Sequence, residues 1–417
     1  KLINLRVLDD RGKGRTSGLL AALDWVMTNR ILHNIRVVNM SLGQLAIDSY
    51  TNDPLCLAVR RLVDAGIVVV AAAGNSGKSG TGQKTYGHIH APGNEPSAIT
   101  VGATNTFGTD SRGDDQVATY SSRGPTRSYR TDEFGVKHYD NLIKPDLVAP
   151  GNKVIAAQAR NNLLVSTNPQ LDADKTNDDN KDMMYLSGTS MATPVVAGAA
   201  ALMLQANPNL TPNMVKAILM YTAQPLAGYN MFEQGAGQVN IQGAVAMARL
   251  VRANLVWATT PVGTPLLTST LPAPQSTIAG YTFAWAQGVI LNRTYATGEE
   301  LLKQYQGVYG TGILLADAVL LADGILLTDS TKMTKGLTLG ESILTSNGIL
   351  LADGVPVMSV NALFGDGILL ADGILLADGI LLADGILLAD GILLADTFAQ
   401  SNRALVNGDE GPGMTPE

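Results

Sequence analysis

Ser187-Gly188-Thr189-Ser190-Met191-Ala192-Thr193-Pro194, running on into Val195-Val196-Ala197-Gly198-Ala199-Ala200-Ala201-Leu202, is the most informative stretch of this 417-residue chain. Its small residues predict a helix that packs closely into the interior and opens at Ser190. The first backbone N–H groups of a helix have no carbonyl one turn back, and the positive end of the helix dipole lies among them. A hydroxyl at Ser190 therefore stands where negative charge is favoured. Pro194 is expected in the first turn, where its missing N–H costs nothing. Taken alone, Gly-Thr-Ser before a helix also reads as an ordinary capped helix. Residues 195–206 are too few to cross about 30 Å of hydrocarbon and are interrupted by Gly198 and Gln205, so a buried helix and no membrane span is expected.

Upstream, residues 4–8, 36–40 and 67–72 read as strands and 17–31 and 53–65 as helices. That alternation predicts an α/β fold with a parallel sheet and helices on both faces. Ser17 is a candidate cap for the first helix, whose apolar Leu19, Leu20, Leu23, Val26 and Met27 fall at helical spacing, and Gly66 stands where the second should stop. Ile67-Val68-Val69-Val70-Ala71-Ala72 lacks polar alternation, as a central strand covered on both faces requires. Runs at 98–103, 147–149 and 154–157 continue the pattern, and a helix at 212–222 follows the alanine-rich one.

This unit is expected to close near residue 255, dividing the chain into 1–255 and a C-terminal region, 256–417. From Gly312 the hexad Gly-Ile-Leu-Leu-Ala-Asp recurs, with five perfect tandem copies over residues 367–396. Six residues advance an α-helix by about 600°, so equivalent side chains never share one stripe and a helix is disfavoured. Four apolar residues before Asp-Gly suit a short strand and tight turn, repeated as a β-solenoid or as small hairpins; identical copies equally suit a low-complexity expansion.

With 46% hydrophobic and 16% charged residues, the chain can build a large core. Its net charge of −7 offers no electrostatic footprint for nucleic acid or an anionic membrane, which leaves a polypeptide as the better-fitting partner. The one cysteine, Cys56, excludes an intrachain disulfide scaffold. The sequence begins at Lys1 without an export signal, which is expected upstream.

Two further segments fall at the carboxyl ends of expected parallel strands, the edge where open α/β sheets bind ligands. They are Asn39-Met40-Ser41-Leu42-Gly43 and Ala71-Ala72-Ala73-Gly74-Asn75-Ser76-Gly77. Asn75 reads either as a turn residue or as an amide donor toward developing charge.

The octet and its alanine-rich continuation closely resemble the nucleophile segment of the subtilases. They differ from the Gly-x-Ser-x-Gly elbow because Met191 and Ala192 follow the serine. The other two segments occur in the order that family shows, and the resemblance extends over about residues 1–250. It implies a subtilisin-like fold and a serine endopeptidase, with Ser190 as nucleophile and Asn75 as oxyanion donor. It further implies that Ser41, Leu42, Gly43, Ala73 and Gly74 hold the substrate, that substrates are polypeptides, that no cofactor is required, and that the protein is secreted or at the cell surface. Segments around Tyr120, Lys144 and Gly235 resemble the family's framework.

The sequence also departs from the family. Subtilases carry Asp and His segments ahead of the serine, and neither pattern occurs here; Asp9 reads as a turn residue. Of His33, His88, His90 and His138, none is expected as a general base for Ser190, and His88 with His90 would need other ligands to hold a metal. A serine without a base is a poor nucleophile. The chain is accordingly expected to be the C-terminal part of a longer endopeptidase and nearly inert alone. Two rival readings are a non-catalytic peptide-binding domain and a repeat-bearing surface or adhesion protein. Asp172, Asp174, Asp178, Asp179 and Asp182 crowd one polar stretch, which suits either a solvated loop or Ca²⁺ as a structural ion.

Overall fold

A computed structural model describes residues 1–9, 12–173, 182–256, 259–261, 263–305, 309–310, 357–359 and 404–414. Four parallel strands, β1 (Val37–Met40), β2 (Val68–Ala72), β3 (Ile99–Asn105) and β4 (Leu147–Pro150), lie side by side in that order. A short antiparallel strand, Gln116–Val117, pairs with the end of β3. The register sets Met40 beside Ala71 and Ala72 beside Val101, so β1 and β2 end together.

Every residue of β2 is buried, and its side chains divide by parity. Val69 and Ala71 join a cluster with Leu23 of α1 (Thr16–Asn29) and with Leu55, Val59 and Leu62 of α2 (Pro54–Asp64). Val68 and Val70 join the opposite cluster, built from α3 (Thr189–Ala206), α4 (Pro212–Tyr221) and α5 (Ile241–Leu250). A strand apolar on both faces is thus the middle layer of an α/β/α sandwich, as expected. Asp53 caps α2 by accepting from Leu55 N (2.7 Å) and Cys56 N (3.4 Å), with Pro54 in the first turn. Gly66, at φ 86°, takes the left-handed conformation that ends it.

Local details differ from the sequence reading. Residues 4–8 form no strand; β1 is the terminal strand of the sheet, and these residues find no ladder there. Helix α1 begins at Thr16, so Ser17 lies inside it, and Arg15 at the cap position has no side-chain acceptor for the helix N–H groups. Helix α3 is 18 residues long and, with a mean hydropathy of 1.3, meets the length and composition of a membrane-crossing helix. It packs instead against β1, β2, β3, β4 and α5, as the central helix of the core. Because α3 starts at Thr189, Pro194 lies beyond its first turn.

Beyond residue 255, two β-hairpins follow, Gln275–Ile278 with Tyr281–Ala284 and Gly288–Leu291 with Thr294–Thr297. Phe283, Trp285, Ile290, Leu302 and Tyr309 enter the same buried cluster as α4 and α5, so chain from both sides of residue 255 builds one core. Val357–Ser359 adds a third strand to the second hairpin. Residues 404–414 return to the sheet domain, with Ala404 in its core. The hexads of 367–396 lie outside the described residues, as do Asp174, Asp178 and Asp179. Among the described residues, no group of three or more His, Cys, Asp or Glu gathers as a metal site.

Candidate active site

Parallel strands deliver their following loops to one edge, and that edge holds the segments singled out in the sequence. Ser41, Leu42 and Gly43 follow β1, while Ala73, Gly74 and Asn75 follow β2. The segment carrying Ser190 arrives by another route. Val154–Ala157 and Met183–Leu186 form an antiparallel ribbon that leads through Ser187 and Gly188 into α3.

Thr189 joins these segments. Its N–H donates to Asn75 Oδ1 (2.9 Å), its hydroxyl lies 3.0 Å from the same oxygen, and that hydroxyl also accepts from Gly74 N (3.2 Å). Asn75 is 8% exposed. With Oδ1 committed to a backbone N–H, its amide nitrogen must be the other end of the group, which fixes the rotamer ambiguity of the side chain. Gly188, at φ 149°, lets the chain pass close by: a Cβ there would come within 3.2 Å of Asn75 Nδ2. The side chain of Asn75 is therefore held against the first turn of α3, one residue from Ser190.

Pro194 accounts for the second tie. Lacking an N–H, it cannot donate to the carbonyl four residues back, that of Ser190, and its ring crowds that oxygen. The Ser190 carbonyl instead accepts from Ser41 Oγ at 2.7 Å, and Ser41 Oγ in turn accepts from Asn39 Nδ2 at 3.0 Å. The loop after β1 is thereby fixed to α3.

A cavity of about 710 Å³ opens at this junction, lined by Ser190, Asn75, Thr189, Gly74, His90 and Ser41, Leu42 and Gly43. Of the residues expected at the site, Ala73 alone does not line it: the residue is wholly buried, and its carbonyl accepts from His90 N (2.9 Å). Lys13 and Arg15 also border the cavity, and among the described residues no carboxylate does.

His90 was missed as a site residue. It lies on a two-residue strand, His90–Ala91, paired antiparallel with Gln44–Leu45, which draws it beneath the loop after β1. Gly74, at φ 107°, makes room for its ring, since a Cβ on Gly74 would sit 2.8 Å from the imidazole. Burial holds the ring well below the ordinary imidazole value of 6.5, at about 4, with His88 adding to the effect. The ring is therefore neutral at pH 7. Between about 4 and 6.5 the folded chain binds fewer protons here than the unfolded one, so stability falls as pH drops through that window, by up to ~1.4 kcal/mol per unit. Ser76 Oγ lies 3.5 Å from its Nε2, and among the described residues no hydrogen bond joins a histidine to the Ser190 hydroxyl. Asp9 closes a turn by accepting from Lys13 N (2.8 Å).

The family model described as Subtilase family (peptidase S8) matches residues 1–244, more than half of the chain. The chain belongs to the subtilase family. This subtilase is 36% identical over 249 residues to serine protease AprX of Bacillus subtilis (strain 168), covering 58% of this chain and 51% of AprX. It is 34% identical over 221 residues to an extracellular serine proteinase of Thermus sp. (strain Rt41A), covering 53% and 40%. Subtilisin E of Bacillus subtilis (strain 168) is 34% identical over 243 residues, covering 58% and 48%. The subtilase chain thus spans about half the length of the curated relatives it matches.

Proposed function

We propose that the full-length protein carrying this chain is a secreted serine endopeptidase that cleaves polypeptides through an acyl-enzyme on Ser190. The observation that supports this reading most is the lock between Asn75 Oδ1 and the Thr189 N–H, which turns an amide group toward the start of the helix bearing Ser190. In the reaction, Ser190 Oγ attacks the peptide carbonyl while a base takes its proton. The base is expected to be a histidine from a segment outside the present sequence. The oxygen of the tetrahedral intermediate becomes an anion, which Asn75 Nδ2 and the Ser190 backbone N–H stabilise from fixed positions, so little reorganisation is needed as charge develops. Ser41, Leu42, Gly43 and Gly74 border the space for the substrate. The extracellular location rests on the kinship with the extracellular serine proteinase of Thermus sp., and the chemistry requires no cofactor. Structural Ca²⁺ at the aspartate-rich stretch of 172–182 remains a proposal of the sequence.

A fluorophosphonate reagent tests this reading, because it phosphonylates a serine only where nucleophile, base and oxyanion donors are assembled. The full-length protein should be modified at Ser190 and the Ser190→Ala variant should not. An unmodified wild-type protein would sink the endopeptidase reading and favour a peptide-binding domain.

His90 belongs to the same proposal as a specificity residue. Its neutral ring lies between Gly43 and Gly74 and lines the cavity there. Replacing it with Gly should deepen the pocket and raise kcat/KM for a large aromatic residue before the scissile bond, relative to alanine, by about tenfold or more. Labelling by a small fluorophosphonate should stay unchanged. An unaltered preference across a peptide library would remove His90 from the substrate site.

A further inference from the structure

We propose that residues 404–414 are a strap that holds the loop beneath the nucleophile, with Asp409 as a positioning residue for Ser190; this rests on the endopeptidase reading above. The strap starts in the core at Ala404 and runs along the segments that carry Thr119, Asn152 and Ser187. The Leu405 carbonyl accepts from Ser187 N at 3.1 Å. Gly408, at φ 60°, then lies so close to Ser187 Oγ and Asn152 Oδ1 that no side chain fits there.

Asp409 is the anchor. Its carboxylate accepts from Thr119 N (2.6 Å) and Thr119 Oγ1 (2.5 Å), its own N–H donates to Asn152 Oδ1 (2.7 Å), and Lys78 Nζ lies 3.8 Å away. The side chain is 11% exposed. Hydrogen bonds to a charged acceptor shielded from water are about twice as strong as neutral ones. Beyond Asp409, Asn105 Nδ2 donates to the Glu410 carbonyl (3.1 Å) and Tyr185 OH to that of Met414 (3.2 Å).

These contacts bear on catalysis through a short path. Ser187 Oγ accepts from Lys153 N (2.9 Å), and the Gly151 carbonyl accepts from Gly188 N (2.8 Å) and from Tyr120 OH (2.9 Å). Gly188 is the cap of α3, and the next two residues are Thr189, which holds Asn75, and Ser190. The strap therefore clamps loop 151–153 to Ser187 and sets where the first turn of α3 begins. Misplacing a nucleophile by about 1 Å can cost 10² in rate, so a clamp one residue from the cap acts on kcat more than on substrate affinity.

The test uses the full-length protein with Asp409→Ala, Asp409→Asn and Gly408→Ala. Asp409→Ala should speed hydrogen exchange at the Thr119 and Ser187 amides at least tenfold and lower kcat about tenfold, with KM little changed. Asp409→Asn keeps an acceptor for Thr119 N and should restore most of both. Gly408→Ala, which wedges a methyl against Ser187, should reproduce the loss of kcat without touching the carboxylate. Unchanged exchange at Ser187 in both Asp409→Ala and Gly408→Ala would show that the strap is not seated. Faster exchange with an unchanged kcat would reduce it to a structural brace. The exchange measurement needs no turnover, so an inactive wild-type protein with a seated strap would overturn the endopeptidase reading and leave the docking standing.

Discussion

Asn75→Ala in the full-length protein should lower kcat by about 10²–10³ with little change in KM, the size of loss found when an oxyanion-hole donor is removed from subtilisin. The expectation follows from how the amide is held. Its oxygen is occupied by the Thr189 N–H and lies beside the Thr189 hydroxyl, so the side chain cannot rotate freely and its NH₂ is set in place before substrate arrives. A donor fixed in this way interacts weakly with a neutral carbonyl and strongly with the oxyanion, which is why the loss should fall on turnover. Asn75→Asp, nearly the same shape, should be worse, because it replaces a donor with negative charge. Steady-state kinetics on a peptide substrate would check both. A kcat within a few-fold of wild type would return Asn75 to the role of turn residue.

Asp146→Asn should cost about 3–5 kcal/mol of folding stability, the range for removing one partner from a buried ion pair. Asp146 is fully buried and contacts Lys144 Nζ at 2.8 Å, Lys216 Nζ at 2.9 Å and Thr100 N at 2.7 Å. Both lysines are also sequestered, so the amide would remove the one counter-charge that offsets the cost of holding their protons in the core. Burial alone would raise the Asp146 carboxyl, but Lys144 and Lys216 outweigh it and hold the group below its ordinary 3.8. Burial also draws Lys216 down to about 7, against the pull of Asp146. The carboxylate's contribution to stability is thus complete above about pH 3.8 and is lost as pH falls through its lower folded value. Urea unfolding at pH 7 would register the change as a lower midpoint at an unchanged slope. A loss under 1 kcal/mol would mean that the lysines shed their protons or reach water.

The layers of this fold were legible because burial on both faces leaves its mark on one strand: residues 67–72 have no polar position, and only a central strand tolerates that. The candidate site was legible because its segments sit at the ends of such strands, where parallel connections must place them. What escaped the sequence depended on partners far along the chain. Residues 4–8 alternate polar and apolar up to Val7, but a strand forms only where a neighbour completes the ladder. His90 enters the cavity through a two-residue pairing with Gln44–Leu45, too short to leave a periodic signal. Thr189 reads as one more small residue until Asn75 is set against it. The strap at 404–414 touches Thr119 across 290 positions, a contact that no local pattern encodes.

The proline in α3 shows how a defect in one element can serve as a joint between two. A helix with alanine at position 194 would satisfy itself and owe nothing to its surroundings. With Pro194, the oxygen of residue 190 must look outward, and the hydroxyl it meets belongs to the wall along which a substrate would lie. Wall and Ser190 are consequently referenced to the same atom, so a small displacement of the helix carries both with it and leaves their spacing intact.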